Sequence, residues 1–156
     1  MDQVETTQVR AAGAPRSLYI VGVLAMLWNA VGCYDYLMTR MRKTDYLASM
    51  MPTVDPKAML AWVDAFPIWA QFGWGLGVWG GLLGSILLLA RSRWAVEAFG
   101  LSLVGALLGL GYQIVLAPPL AGAEGAVNEI MPYVIILVAL VLFLYARAKR
   151  AASVLS

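Results

Sequence analysis

Apolar residues are concentrated in four long runs, and short polar stretches separate them. The runs cover residues 18–39, 67–90, 94–117 and 129–146. A bilayer core about 30 Å thick needs roughly 20 apolar residues in a helix that rises about 1.5 Å per residue. The pattern therefore predicts an all-α integral membrane protein, in which residues 1–156 form a single four-helix transmembrane bundle. Residues 1–16 and 147–156 are expected to be polar tails.

The loop between the first and second runs carries the signal for one more helix. Asp55 is a suitable N-cap for a helix with Pro56 at its first position, and Pro67 interrupts the backbone before the second run. Four apolar residues recur on one face of the segment between them: Met59, Trp62, Val63 and Phe66. We expect a short amphipathic surface helix that reaches about Phe66 and lies on the outer membrane surface. The alternative is a lid over the mouth of the bundle.

The composition agrees with a membrane protein and excludes several classes of function. The chain is 62% apolar and 13% charged, whereas soluble domains are about 25% charged. It has no histidine, and Cys33 is its one cysteine, which excludes histidine-ligated haem, His/Cys zinc sites, histidine-based catalytic triads and internal disulfides. A net charge of +2 leaves no basic surface for nucleic acid. We therefore expect no nucleic-acid partner, no metal or other cofactor and no enzymatic activity.

The distribution of Lys and Arg indicates an orientation. Basic residues collect on the cytoplasmic side of a membrane. With both termini in the cytoplasm, seven basic residues lie inside and four lie outside. The reverse orientation stays open because three of those four follow directly on the first span. Glu97 lies one turn after Arg93 at the cytoplasmic edge, where an ordinary surface ion pair explains it.

One face of the first span carries most of its small and polar residues. At about 100° per residue these residues fall within an arc of roughly 140°. They are Gly22, Ala25, Trp28, Asn29, Gly32, Asp35, Tyr36 and Thr39. Because polar groups without partners are costly in hydrocarbon, this arc is expected to face the bundle interior. Cys33 lies outside the arc and is interpreted as an ordinary buried small residue.

Five side chains from this arc and from the third span are predicted to line an outward-opening polar pocket. They are Asn29, Asp35, Tyr36, Tyr112 and Gln113. Asp35 and Gln113 lie at comparable depth near the outer ends of their spans. An aspartate within a span is a functional-site hypothesis, because its ionised form is unfavourable in lipid. The structural alternative is that Asp35 is solvated at the interface or pairs with Arg40, Arg42 or the following loop.

Glycines line one side of the second and third spans. The stripes consist of Gly73, Gly77, Gly80, Gly81 and Gly84 on the second span and Gly105 and Gly109 on the third. Small residues at this spacing let helix backbones approach closely in a membrane. We expect the two spans to pack as a hairpin across the turn at residues 91–93. A homo-oligomer interface is the alternative.

Two strings resemble a known group of proteins. They are LWNAVGCYDY at residues 27–36 and WGLGVWGGLLGSILLLARSRW at residues 74–94. Both are similar to small four-span bacterial inner-membrane proteins, which are mostly uncharacterised and sometimes labelled sugar transporters. The resemblance implies a bacterial cytoplasmic membrane location, and it identifies no substrate or site residue.

Two functional hypotheses follow. The first is a non-enzymatic accessory or assembly component that uses glycine-lined helix packing to bind a membrane-protein partner or a second copy of itself. The second is a small-solute transporter, with a sugar among its candidate substrates and with its polar pocket around Asp35.

Overall fold

The computed structural model describes residues 16–155, and all regular structure in this range is helical. Six helices follow one another along the chain: α1 (Arg16–Arg40), α2 (Thr44–Met50), α3 (Pro56–Asp64), α4 (Ile68–Leu89), α5 (Ala95–Val115) and α6 (Ala126–Ala151). The predicted tail at residues 1–16 lies outside the described residues except for Arg16, which begins α1. Ser156 also lies outside them.

Four of these helices, α1, α4, α5 and α6, are long and apolar enough to cross a membrane. The predicted all-α, four-span fold is therefore confirmed, and the protein is an integral membrane protein whose outer surface contacts lipid. The first three spans begin and end within three residues of their predicted limits. In contrast, α6 begins at Ala126 and continues to Ala151, so half of the predicted C-terminal tail is helical.

The loop between α1 and α4 holds two short helices, of which the sequence pattern predicts one. Asp55 caps α3, and its side chain accepts a hydrogen bond of 3.3 Å from the backbone N–H of Lys57. The helix ends at Asp64, and Phe66 follows in a turn before Pro67. No prediction covered α2, because seven residues are too few to show a clear periodicity and Lys43 provides no side-chain cap.

The spans pack in a row in which α4 contacts α1 and α5, and α6 contacts α5 on its other side. We call the end of the molecule that holds the α4–α5 turn, the start of α1 and the end of α6 the turn end. The opposite end, with α2, α3 and the α5–α6 loop, is the loop end. A buried apolar cluster joins all four spans near the turn end: Leu18, Ala25, Leu88, Ala95, Val96, Phe99, Leu142, Ala146 and Leu155.

The turn end is closed by two backbone reversals. Arg91 adopts a φ of 59°, and the N–H of Ser92 donates to the Leu87 carbonyl at 2.8 Å, which ends α4 in a Schellman-type turn. The chain after α6 folds back similarly, so that Leu155 is buried and the Arg91 guanidinium donates to the Val154 carbonyl at 3.3 Å. These contacts attach the chain's last described residues to the α4–α5 turn.

The inward face of α1 is rotated relative to the predicted arc. Gly22, Ala25 and Thr39 are buried as expected, but Trp28 is 41% exposed. Cys33 is buried, and its thiol donates to the Val78 carbonyl at 3.3 Å. The reason is that α1 packs closely against one span, α4, so the buried strip is narrower than the arc and includes Cys33.

Candidate functional site

The glycine stripes of α4 and α5 lie against each other within the chain. A Cβ atom at Gly73 would lie 2.6 Å from Leu108 Cβ and 2.9 Å from the backbone N of Gly109, and a Cβ at Gly105 would collide with the backbone of Gly77. Such spacing is too short for any side chain between the helices. The Ser102 hydroxyl adds an interhelical hydrogen bond of 2.6 Å to the Gly77 carbonyl. The stripes therefore form a hairpin, as the first of the two alternatives predicts.

Side chains of α1 and α5 pack against two further glycines of α4. The position of a Cβ at Gly84 is filled by the ring of Phe99, and that of a Cβ at Gly81 by the amide of Asn29. These residues are thus placed in helix packing, with Gly81 serving the contact between α1 and α4 as well as the one with α5.

Asn29 forms its hydrogen bonds inside the α1–α4 contact. Its amide nitrogen donates to the Ala25 carbonyl at 2.8 Å and to the Ser85 hydroxyl at 3.2 Å. Ser85 is fully buried and donates in turn to the Gly81 carbonyl at 2.8 Å. This predicted pocket residue therefore links two helices.

Asp35 is half-buried beneath α2. The phenol of Tyr46, on α2, donates a hydrogen bond of 3.1 Å to Asp35 Oδ1, and the Tyr46 ring packs edge-on against Tyr34 with 5.4 Å between ring centroids. Burial, together with the nearby negative charge of Asp35, raises the pKa of Tyr46 to about 12. The phenol is therefore a stable donor to this carboxylate at neutral pH.

The arginines considered as partners of Asp35 bind other groups. Arg40 donates to the Gln71 side-chain oxygen at 2.9 Å, and Arg42 forms an ion pair of 2.8 Å with Asp64. Gln71 also donates to the Phe66 carbonyl at 2.8 Å. Of the partners considered for Asp35, the following loop supplies one, through Tyr46. Neither arginine does, because Arg40 extends toward α4 and Arg42 toward the end of α3.

Tyr36 and Tyr112 lie in aromatic contacts. The Tyr36 ring packs edge-on against Trp74 with 4.9 Å between centroids. Tyr112 belongs to a group that we call the aromatic cluster, which consists of Trp62, Phe66, Trp69 and Tyr112. Their centroids are separated by 4.6 to 5.4 Å.

The aromatic cluster packs the segment around α3 against the adjoining ends of α4 and α5. The indole N–H of Trp62 donates to the Pro118 carbonyl at 2.7 Å, just after α5. The Thr53 hydroxyl, which precedes α3, donates to the Gly122 carbonyl at 2.6 Å. The amphipathic helix therefore rests on the protein itself, with directed bonds to the α5–α6 loop.

Gln113 lines a separate open groove between α5 and α6, which we call the α5–α6 groove. Its volume is about 460 Å³, and its lining residues are Gln113, Ile114, Asn128, Glu129, Ile130, Pro132 and Tyr133. Consequently the five predicted residues occupy five different surroundings, and no hydrogen bond within residues 16–155 joins any two of them. Within the same range, no three carboxylates or thiols are grouped so that they could hold a metal ion.

Tyr46 is the residue that the sequence analysis missed. It lies on the short α2, and no motif connects it with Asp35, which is eleven residues away.

Comparison with models of known protein families, with curated proteins and with solved structures gives no match.

Proposed function

We propose that this protein is a non-enzymatic accessory or assembly component of the bacterial cytoplasmic membrane and that it acts by binding another membrane protein. The resemblance to small four-span inner-membrane proteins supports the location. The charges support cytoplasmic termini, since the described turn end carries six basic residues and one acidic residue.

The observation that carries this proposal is the direct backbone contact between α4 and α5. A solute path needs space between spans and polar groups that are free to bind the solute. Here Gly77 and Gly105 leave no space for a side chain, and the Ser102 hydroxyl is bonded to a carbonyl of the opposite helix. Asn29, which lies at the same depth, is bonded to Ser85. Close packing of this kind favours a scaffold over a carrier.

This geometry changes one part of the hypothesis, namely that the glycine-lined helix faces bind the partner. Because the glycines of α4 face α1 and α5, the partner would bind an outward face of the bundle instead. The span with the fewest buried residues is α6, with Pro132, Leu142 and Ala146 buried along its 26 residues. Its lipid-facing side is the best candidate for the contact with a partner helix.

The test is purification of the tagged chain from native membranes in mild detergent, followed by identification and quantification of the proteins that come with it. We expect one membrane protein at a fixed stoichiometry. Leu137 and Val141 are both exposed on α6, so replacing them together with Trp should release this partner. The same change at Val104 and Leu107, exposed on α5, is the matched control. A chain that elutes alone would contradict the proposal.

Transport of a small solute is the second candidate, and Asp35 is the observation that favours it. This carboxylate lies within a span and receives its side-chain hydrogen bond from a phenol on a short helix, instead of forming an ion pair. Displacement of α2 would expose it to the loop end.

Reconstituted vesicles test this second candidate with a pH-sensitive dye and labelled monosaccharides. If solute passes through this site, Asp35→Asn should abolish the flux. Asp45→Asn, a change at an exposed position of α2, should leave the flux unchanged. Absence of flux in the unmodified protein, or equal flux in both variants, would remove Asp35 from consideration.

A further inference from the structure

The α5–α6 groove combines polar and apolar walls at one depth of the membrane. Gln113 lies two residues before the end of α5, and Glu129 lies three residues after the start of α6. At about 1.5 Å per residue both are within roughly 5 Å of their helix ends, which is the level of lipid headgroups. Ile114 and Ile130 form apolar walls beside them.

The polar wall of the groove is rich in hydrogen-bond acceptors. Pro132 lies inside α6 and has no N–H, so it cannot donate to the carbonyl of Asn128 four residues earlier. The side chains of Gln113 and Glu129 form no hydrogen bond or ion pair within residues 16–155. The Asn128 carbonyl, which lacks its usual donor four residues later, therefore belongs to the same groove lining as the Glu129 carboxylate and the Gln113 amide oxygen.

An occupant that matches these groups must supply several N–H donors and a positive charge. Glu129 is the one charged residue among those that line the groove. The described part of the loop end is acidic as a whole, with six carboxylates and four basic side chains. Ligands of net negative charge are therefore disfavoured here, and a primary ammonium, with three donors and one positive charge, fits the carbonyl, carboxylate and amide together.

The apolar walls indicate where that ammonium comes from. Because the groove opens between two membrane spans, a headgroup bound at Glu129 leaves its acyl chains beside Ile114 and Ile130. A soluble amine has no apolar part to pack against these side chains, whereas the acyl chains of a lipid cover them.

We propose that the α5–α6 groove binds the headgroup of a phospholipid that carries a primary ammonium, with Glu129, Gln113 and the Asn128 carbonyl as its acceptors. Tyr133, which is 58% exposed, lies at the rim of the groove and borders the bound lipid.

Native mass spectrometry of the detergent-purified full chain measures this binding directly. Phosphatidylethanolamine and phosphatidylcholine with identical dioleoyl chains are the probes, since both headgroups carry a positive nitrogen and the first alone has N–H donors on it. We expect the ethanolamine lipid to bind about tenfold more tightly, as expected for charge-assisted hydrogen bonds. Glu129→Gln should reduce this preference to about twofold or less, and Gln113→Leu should reduce it in part.

Glu124→Gln is the matched control, because Glu124 is an exposed acid of the same loop that does not line the groove. It should retain the full preference. Helical circular dichroism and elution volume verify that each variant is folded. Equal binding of the two lipids by the unmodified protein would overturn the proposal, and so would an unchanged preference in Glu129→Gln. Competition by soluble phosphoethanolamine at the same concentration as the lipid would overturn the assignment to a lipid.

Discussion

Helix α5 contacts a span on each side, and the two interfaces are built in different ways. Toward α4, glycine backbones touch and a hydroxyl bonds to a carbonyl across the interface. Toward α6, side chains fill the space, as where the ring of Phe143 lies 3.4 Å from the position of a Cβ at Gly100. This second interface opens into the α5–α6 groove at the loop end.

The difference shows what close packing achieves in a membrane. Side chains gain little by leaving lipid for a protein interior, so helix association depends on van der Waals contact and hydrogen bonds. The α4–α5 interface combines backbone contact at Gly73, Gly77 and Gly80 with the hydrogen bond from Ser102, and it leaves no room for a ligand there. The α5–α6 interface is looser, and for that reason it can keep a groove in which polar groups remain free.

Replacing Gly105 by Ala should have the largest effect on stability. The added methyl group meets the backbone of Gly77, which cannot rotate away, so the two helices must separate. We expect the free energy of unfolding to fall by about 2 kcal/mol or more, measured by SDS titration in mixed micelles. The control is Gly111→Ala on the same helix, where the added Cβ would meet no atom of residues 16–155 within 4 Å beyond the helix's own backbone. If both variants unfold alike, backbone contact is not what holds α4 to α5.

Ser102→Ala should have a smaller effect at the same interface. This change removes the 2.6 Å hydrogen bond to Gly77 but keeps the close approach of the backbones. The expected loss is about 1 kcal/mol, typical of interhelical hydrogen bonds in membranes. The same SDS titration measures it, and a loss larger than that of Gly105→Ala would show that hydrogen bonding outweighs steric fit here.

Glu97→Gln tests the polar part of the α5–α6 interface. Glu97 forms an ion pair of 2.5 Å with Arg150 near the turn end, and the two side chains are 45% and 42% exposed. Its partner is thus on α6 and is not Arg93. We expect a loss of about 0.5 kcal/mol that disappears in high salt. A loss that does not depend on salt would indicate a contribution from packing.

Gly100→Ala should change stability least. The added methyl group would touch the edge of the Phe143 ring at an ordinary contact distance, and α6 presents no backbone there. The higher helix propensity of alanine offsets any small adjustment, so the unfolding free energy should change by less than about 0.5 kcal/mol. An effect as large as that of Gly105→Ala would remove the distinction between the two interfaces.

The sequence predicted the elements far better than the site. The limits of α1, α4 and α5 followed from run length, and the start of α3 followed from Asp55 and Pro56, because both signals are local. The predicted pocket depended on which way side chains on different spans point. Gln113 turns toward α6 and Asn29 toward α4, and helical periodicity in a single span cannot determine the identity of the neighbour.

What the sequence alone determined is that this chain spans a membrane four times and that its second and third spans can approach closely. Both depend on properties that each segment carries by itself, namely hydropathy over about 20 residues and the absence of side chains at glycine. Only the tertiary structure decided that Tyr46 bonds to Asp35, that the aromatic cluster packs the segment around α3 against α4 and α5, and that Gln113 and Glu129 line the same groove. These pairs are distant in the chain, and the rotation of each helix about its axis, which brings them together, is set by packing against its neighbours.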